Sequence, residues 1–306
     1  MITNYYNYIN EYKREDRLLL EELNDYFTIG FEIEIDRDFT NESWPLYPSR
    51  KNTVLFNRYK KSFPVFSEKY KDRISLHYDE TVPQGIEIVN STFDKDTYPD
   101  TQHRPFETVT EAEEFLRTFF TDFRNQNNWI FNKKTSIHVN IGAKNNPRWN
   151  AIKGIIMLSD DYAFKGLEDR KTSHYCKSLK TKLHDFLVKY FKNPTHYWRK
   201  QVLLEPFETN IDKIENGITE ILLRRGNIVN KGLDRTHGLN LSNILTEEDN
   251  KYVEFRHIGG PNVTEEMILE KIKYFCYVVY LMTSDYRNKD YTRKLFSFMN
   301  KCRNDN

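Results

Sequence analysis

Residues 27 to 36 alternate. Ile29, Phe31, Ile33 and Ile35 stand between Gly30, Glu32, Glu34 and Asp36, a period of two that predicts a strand with one apolar face. Glu32 and Glu34 then share the other face about 7 Å apart, where they repel unless water, protons or cations separate them. Hard divalent ions such as Mg²⁺ suit such a pair, although a half-solvated edge strand carries the same pattern. The alternation returns further along. In residues 84 to 89, Ile86 and Ile88 oppose Gly85, Glu87 and Val89; in 135 to 141, Ile137, Val139 and Ile141 oppose Ser136, His138 and Asn140. In 252 to 257, Val253, Phe255 and His257 oppose Tyr252, Glu254 and Arg256. Residues 73 to 78, 129 to 131 and 237 to 241 complete the expected strands, the last pairing with 252 to 257. His77, just before the acidic turn at Asp79, reads as a packing or local capping residue.

Helical spacing covers much of the rest. Residues 3 to 24 predict an amphipathic helix lying over one side of the fold. Residues 108 to 125 carry Phe115, Leu116, Phe119, Phe120 and Phe123 on one stripe, Thr108 or Thr110 as cap, and Glu111, Glu113 and Glu114 near the start. Residues 149 to 191 are mostly helical, interrupted at 168 to 176 by a charged stretch expected as a solvated loop. Further helices are predicted at 207 to 223, at 263 to 284 after the Gly259-Gly260-Pro261 stop, and at the carboxyl end. Residues 40 to 72, rich in Pro, Asn, Ser and basic side chains, predict a long loop with little regular structure. Runs of strands and helices in this order predict an α+β fold, with a curved, mainly antiparallel sheet that shows its acids on a concave face and packs helices on the convex one. No repeat or linker divides it, so one domain is expected from 27 to 306, preceded by a helical extension at 1 to 26.

Composition narrows the function. Among 306 residues, 46 Lys and Arg nearly cancel 45 Asp and Glu, so no overall field draws the chain to nucleic acid or to an anionic membrane. The basic-aromatic run at 196 to 200 is too short to change that. No apolar run approaches the ~20 residues of a membrane span, and 267 to 282 is broken by Glu270, Lys271 and Lys273 into what reads as a buried helix. The first residues lack the apolar core of a signal peptide. Cys176, Cys276 and Cys302 are widely spaced, without the pairing of a zinc site, which points to a reduced, cytoplasmic protein.

The polar positions also fall in a recognisable order. Gly30-x-Glu32-x-Glu34, an acidic turn at Asp79 followed by Gly85-x-Glu87-Ile-Val89, His138-Val-Asn140 and Val253-Glu254-Phe-Arg256 together resemble the amidoligase family, related to glutamine synthetase and glutamate-cysteine ligase within the carboxylate-amine ligases. Arg170-Lys-Thr-Ser-His-Tyr-Cys176 is similar to its Arg-rich Ser-x-Tyr-Cys stretch, and Arg235-Thr-His-Gly-Leu-Asn240 to the strand before its Glu-x-Arg. The likeness spans about residues 27 to 285.

The resemblance implies a glutamine synthetase-like catalytic domain that uses ATP and two or more Mg²⁺ or Mn²⁺ ions to join a carboxylate to an amine. Glu32, His138 and Glu254 would hold one cation near the ATP phosphates, and Glu34, Asp79 and Glu87 the other near the acceptor carboxylate. Arg256 would stabilise the phosphoryl group in flight beside Glu254, while Asn140, Arg170 and Asn240 would contact the nucleotide. Asn140 stands where the family often has a second His, and Glu80 competes with Asp79 for the turn position. The substrates would be a small molecule, a peptide or a protein side chain, and an oligomer is compatible with the family. Two other readings remain beside it: a phosphotransferase on the same fold, and an inactive structural or interaction protein.

Overall fold

The computed structural model describes residues 21–37, 57–77, 82, 85–90, 105–145, 147–173, 176–192, 211–224, 237–245, 251–284 and 289–305. The fold is α+β. Its strands are β1 (Phe27–Arg37), β2 (Ser75–His77), β3 (Ile86–Val89), β4 (Trp129–Ile130), β5 (Ser136–Ala143), β6 (Leu239–Asn240) and β7 (Tyr252–Gly259). They form an open sheet in the order β2-β3-β1-β5-β7-β6, antiparallel at each pairing, with β4 paired to the end of β1 at Asp36 and Arg37. The helices are α1 (Pro64–Lys69), α2 (Val109–Arg124), α3 (Ala151–Met157), α4 (Asp160–Ala163), α5 (Glu168–Lys171), α6 (Leu179–Lys192), α7 (Ile211–Arg224), α8 (Ser242–Leu245), α9 (Glu265–Thr283) and α10 (Lys289–Asn304).

Alternation decides which face of the sheet is covered. Ile29, Phe31, Ile33 and Ile35 of β1, Ile137, Val139 and Ile141 of β5 and Val253 and Phe255 of β7 are all fully buried. Helices α2 and α9 lie on this side: Phe31 stacks on Phe115 of α2 at 5.4 Å, and Phe255 on Phe275 of α9 at 4.2 Å. Both helices begin at a threonine cap, Thr108 accepting from the Glu111 amide at 3.0 Å and Thr264 from the Met267 amide at 3.3 Å. Glu265 at the start of α9 takes Arg117 at 3.2 Å and Arg124 at 2.6 Å, tying α2 to α9.

Of the charges interrupting α9, Lys271 lies inside while Glu270 and Lys273 stay exposed. Lys271 is buried, donates to the Tyr162 carbonyl and lies 4.5 Å over the Tyr162 ring, and burial pulls its ammonium down to about 8. Glu270 accepts from the Tyr162 hydroxyl at 2.6 Å.

Two local expectations need correcting. Residues 57 to 62 and α1 are helical where a structureless loop was expected. Pro64 starts α1 at a position where no amide donor is needed, and Tyr59, Phe63 and Phe66 are buried, with Phe63 stacked on Phe119 at 5.2 Å. The stretch expected as a solvated loop after 168 instead contains α5, with Arg170 and Cys176 both buried. Most of the expected amino-terminal helix, residues 40 to 56 of the expected loop, the 196 to 200 run and Arg235 lie outside the described residues. Among the described residues no helix is long and apolar enough to cross a membrane, and the three cysteines are free and buried.

Candidate metal centre

Strand register brings the polar positions together. Glu32 of β1 sits directly opposite His138 of β5; Asn140 of β5 lies between Gly30 of β1 and Glu254 of β7, and Asn240 of β6 pairs on the far side of Glu254. One row on the polar face therefore runs Asn240, Glu254, Asn140, and the next holds His138 and Glu32. The β5–β7 register then slips. Ile137 faces Ile258 while Val139 faces Phe255, so Arg256 and His257 together oppose His138 in a bulge. Arg256 stays on the polar side with Glu254, and His257 turns into the core 5.5 Å from the Phe275 ring.

The side chains converge closely. Nδ1 of His138 lies 2.9 Å from Oε2 of Glu32 and 3.4 Å from Oε1 of Glu254. Asn140 donates from Nδ2 to Glu32 at 3.1 Å, and Arg256 donates from Nη1 to Glu254 Oε1 at 2.5 Å. Asn240 donates from Nδ2 to Glu254 Oε2 at 2.7 Å, while its Oδ1 accepts the Ser242 amide at 3.0 Å and hydroxyl at 2.7 Å. That fixes the orientation of the Asn240 amide, because only its nitrogen end can face the carboxylate. On the other side of His138, Nε2 is 2.9 Å from the Ser136 hydroxyl, which donates to Glu34 at 2.6 Å. A single hydroxyl thus bridges the imidazole to the second glutamate of β1.

Electrostatics follow from this crowding. Burial alone would push the Glu32 carboxyl up, but hydrogen bonds from His138 and Asn140 and the charges of His138 and Arg256 outweigh it and hold the group at about 2. Burial works against a charged His138 as well. The bond to Glu32 and the field of Glu254 and Glu32 overcome both that and Arg256, so its pKa lies above the ordinary value. When protonated, His138 occupies the place of a cation between two carboxylates.

The donor set fits a metal ion. Glu32, His138 and Glu254 each offer a ligand atom, and these atoms lie within 4.8 Å of one another. Two carboxylates and an imidazole suit a hard or borderline divalent ion. The Oδ1 atom of Asn140 is buried beside them without a hydrogen-bond partner among the described residues, an acceptor left over in a pocket of acceptors.

The second expected ligand group is described in part. Glu34 and Glu87 are direct cross-strand partners on β1 and β3, and His77 of β2 stands opposite Glu87. Asp79 and the alternative Glu80 lie outside the described residues. Arg170, assigned by resemblance to the nucleotide, donates from Nη2 to the carbonyl of Arg256 at 3.0 Å and so meets the site through the backbone. Ser136 was missed as a site residue. The available signal was its place two residues before His138 on the same strand face.

No protein-family model matches the chain, and comparison with curated proteins finds no match.

Proposed function

We propose that the chain is an ATP- and Mg²⁺-dependent carboxylate-amine ligase, an amidoligase that forms an amide or isopeptide bond through an acyl phosphate. The observation carrying this reading is the meeting of Glu32, His138 and Glu254 from three strands, with ligand atoms within 4.8 Å and Arg256 bonded to Glu254 beside them. In this reading the open antiparallel sheet is the curved, glutamine synthetase-like sheet of such ligases, its acids on the concave face.

Glu32, His138 and Glu254 would hold a divalent cation, which would supply the positive charge that lets an anionic carboxylate approach a triphosphate. Glu32 and Glu254 contribute oxygen donors, and His138 contributes Nδ1 while Ser136 holds its other nitrogen. Glu34 and Glu87, cross-strand partners on β1 and β3, would hold a second cation nearer the acceptor carboxylate, with Asp79 as the further ligand that the resemblance implies. Arg256 is anchored to Glu254 through Nη1, and its guanidinium charge would stabilise the phosphoryl group in flight. Asn140 and Asn240 line the nucleotide side. The carboxylate oxygen attacks the γ-phosphorus and ADP leaves. The amine then attacks the acyl carbon, phosphate leaves, and the nitrogen gives up a proton.

The test is turnover of ATP with candidate carboxylate and amine pairs, followed by mass analysis of the product. Release of ADP and phosphate with a product lacking phosphate is expected, and Glu254→Ala or Arg256→Ala should lower the rate by about a hundredfold or more. A product that retains the phosphoryl group would make the chain a phosphotransferase. Turnover that survives both substitutions would refute the site.

A further inference from the structure

The backbone of Arg256 is held by side chains from outside the strands. Its carbonyl accepts two side-chain hydrogen bonds, from Arg170 Nη2 at 3.0 Å and from the Cys176 thiol at 3.1 Å. Its amide donates to the Gly238 carbonyl at 2.7 Å. All of this occurs at the bulge, where the β5–β7 ladder is interrupted between Ile137 and Val139. A bulged residue loses regular ladder partners and gains a choice of direction, so its orientation must come from elsewhere. Here both ends of the residue are committed. The segment has little room to shift: a Cβ on Gly259 would come within 3.0 Å of Arg170 Cδ and Nε, and one on Gly238 within 2.6 Å of the His257 ring.

Arg170 is an expensive choice for a merely structural contact, since a buried guanidinium loses its hydration and its Nε is buried without a partner among the described residues. Cys176 adds a small, buried donor whose thiol burial keeps protonated, pushed up to about 12, so that the S–H remains available.

Resting on the ligase reading above, we propose that Arg170 and Cys176 are positioning residues. They clamp the Arg256 carbonyl so that the bulge aims the Arg256 side chain along the polar face, where Glu254 receives it. Arg170 then acts through Arg256, and its loss misdirects one guanidinium while leaving the cation ligands in place.

A double-substitution cycle tests this with the full chain. Arg170→Met is expected to lower kcat for ATP turnover by about a hundredfold, the cost of an angstrom of misplacement, with KM changed far less. In an Arg256→Met background the same substitution should change kcat less than about threefold, because its target is gone. Mn²⁺ affinity, measured without nucleotide, should stay within about threefold of the parent in Arg170→Met. Equal losses in both backgrounds, or a parallel collapse of Mn²⁺ binding, would overturn the proposal.

A second arm needs no activity. Amide hydrogen exchange over residues 255 to 258 should quicken in Arg170→Met and in Cys176→Ala, while Cys176→Ser, which restores a donor, should return it toward the parent. Exchange unchanged in all three would overturn the clamp. If the unmodified chain neither binds nor turns over Mg·ATP, the ligase reading falls, and the exchange result still decides whether Arg256 is clamped.

Discussion

His138 and Glu32 make a charge pair whose consequences depend on pH in opposite directions. Glu32, held at about 2 rather than 4.5, contributes stability that is present above pH 4.5 and lost as pH falls through about 2. His138, whose pKa is raised from 6.5, contributes stability that is complete below pH 6.5 and fades as pH rises through its folded value. Without added metal, the urea midpoint should therefore fall as pH climbs from 6.5, and His138→Gln should flatten that decline. Identical slopes for the two proteins would show that His138 gains no proton on folding. Alternation placed Glu32, Glu34, Glu87, His138 and Glu254 on the polar faces of their strands, and only the resemblance made ligands of them. Their pairing was not legible. That Glu32 meets His138 and Asn140 meets Glu254 depends on strand order and register, which no local pattern states.

The elements formed where periodicity was strong, and differed where burial overrode composition. Strand β1 and helices α2 and α9 stand where the apolar rows predicted them. The aromatic residues of 57 to 69 were hidden among Pro, Ser and Lys, and it is contact with α2 that makes them helical and buried. Arg170 stands among charged neighbours that predict a solvated loop, whereas its own side chain is buried and donates to the Arg256 carbonyl of β7. The β7 bulge left no sequence signal except the close spacing of Arg256, His257 and the glycines after them. Gly238 gives this element its sharpest prediction. A Cβ there would stand 2.6 Å from Nε2 of His257, a fully packed ring, so Gly238→Ala should destabilise the fold by about 1–3 kcal/mol in denaturant unfolding. A change below about 0.5 kcal/mol would mean that the bulge has slack.

Among the described residues, one hydrophobic cluster reaches from Phe27 to Cys302 and supports the acid face from below. That arrangement places like charges together on a rigid platform. Glu254 is buried and surrounded by His138, Asn240 and Arg256, so the platform tolerates its carboxylates through local donors rather than through solvent. A bound cation should take over part of that task and stabilise the fold. At a concentration a hundred times its Kd the gain is about 2.7 kcal/mol, visible as a rise in Tm with added Mn²⁺ or Mg²⁺ that chelation reverses. At the same concentration Glu254→Gln should cut that rise to about half or less.

Titration of the metal-free chain with Mn²⁺, followed by the loss of the free-ion paramagnetic signal, tests the site most simply. A saturable site is predicted in the parent chain, weakened by about tenfold or more in both His138→Ala and Glu254→Gln, with folding retained. Mn²⁺ binding that is absent from the parent, or equally tight in both variants, would contradict the assignment of Glu32, His138 and Glu254 as a metal centre.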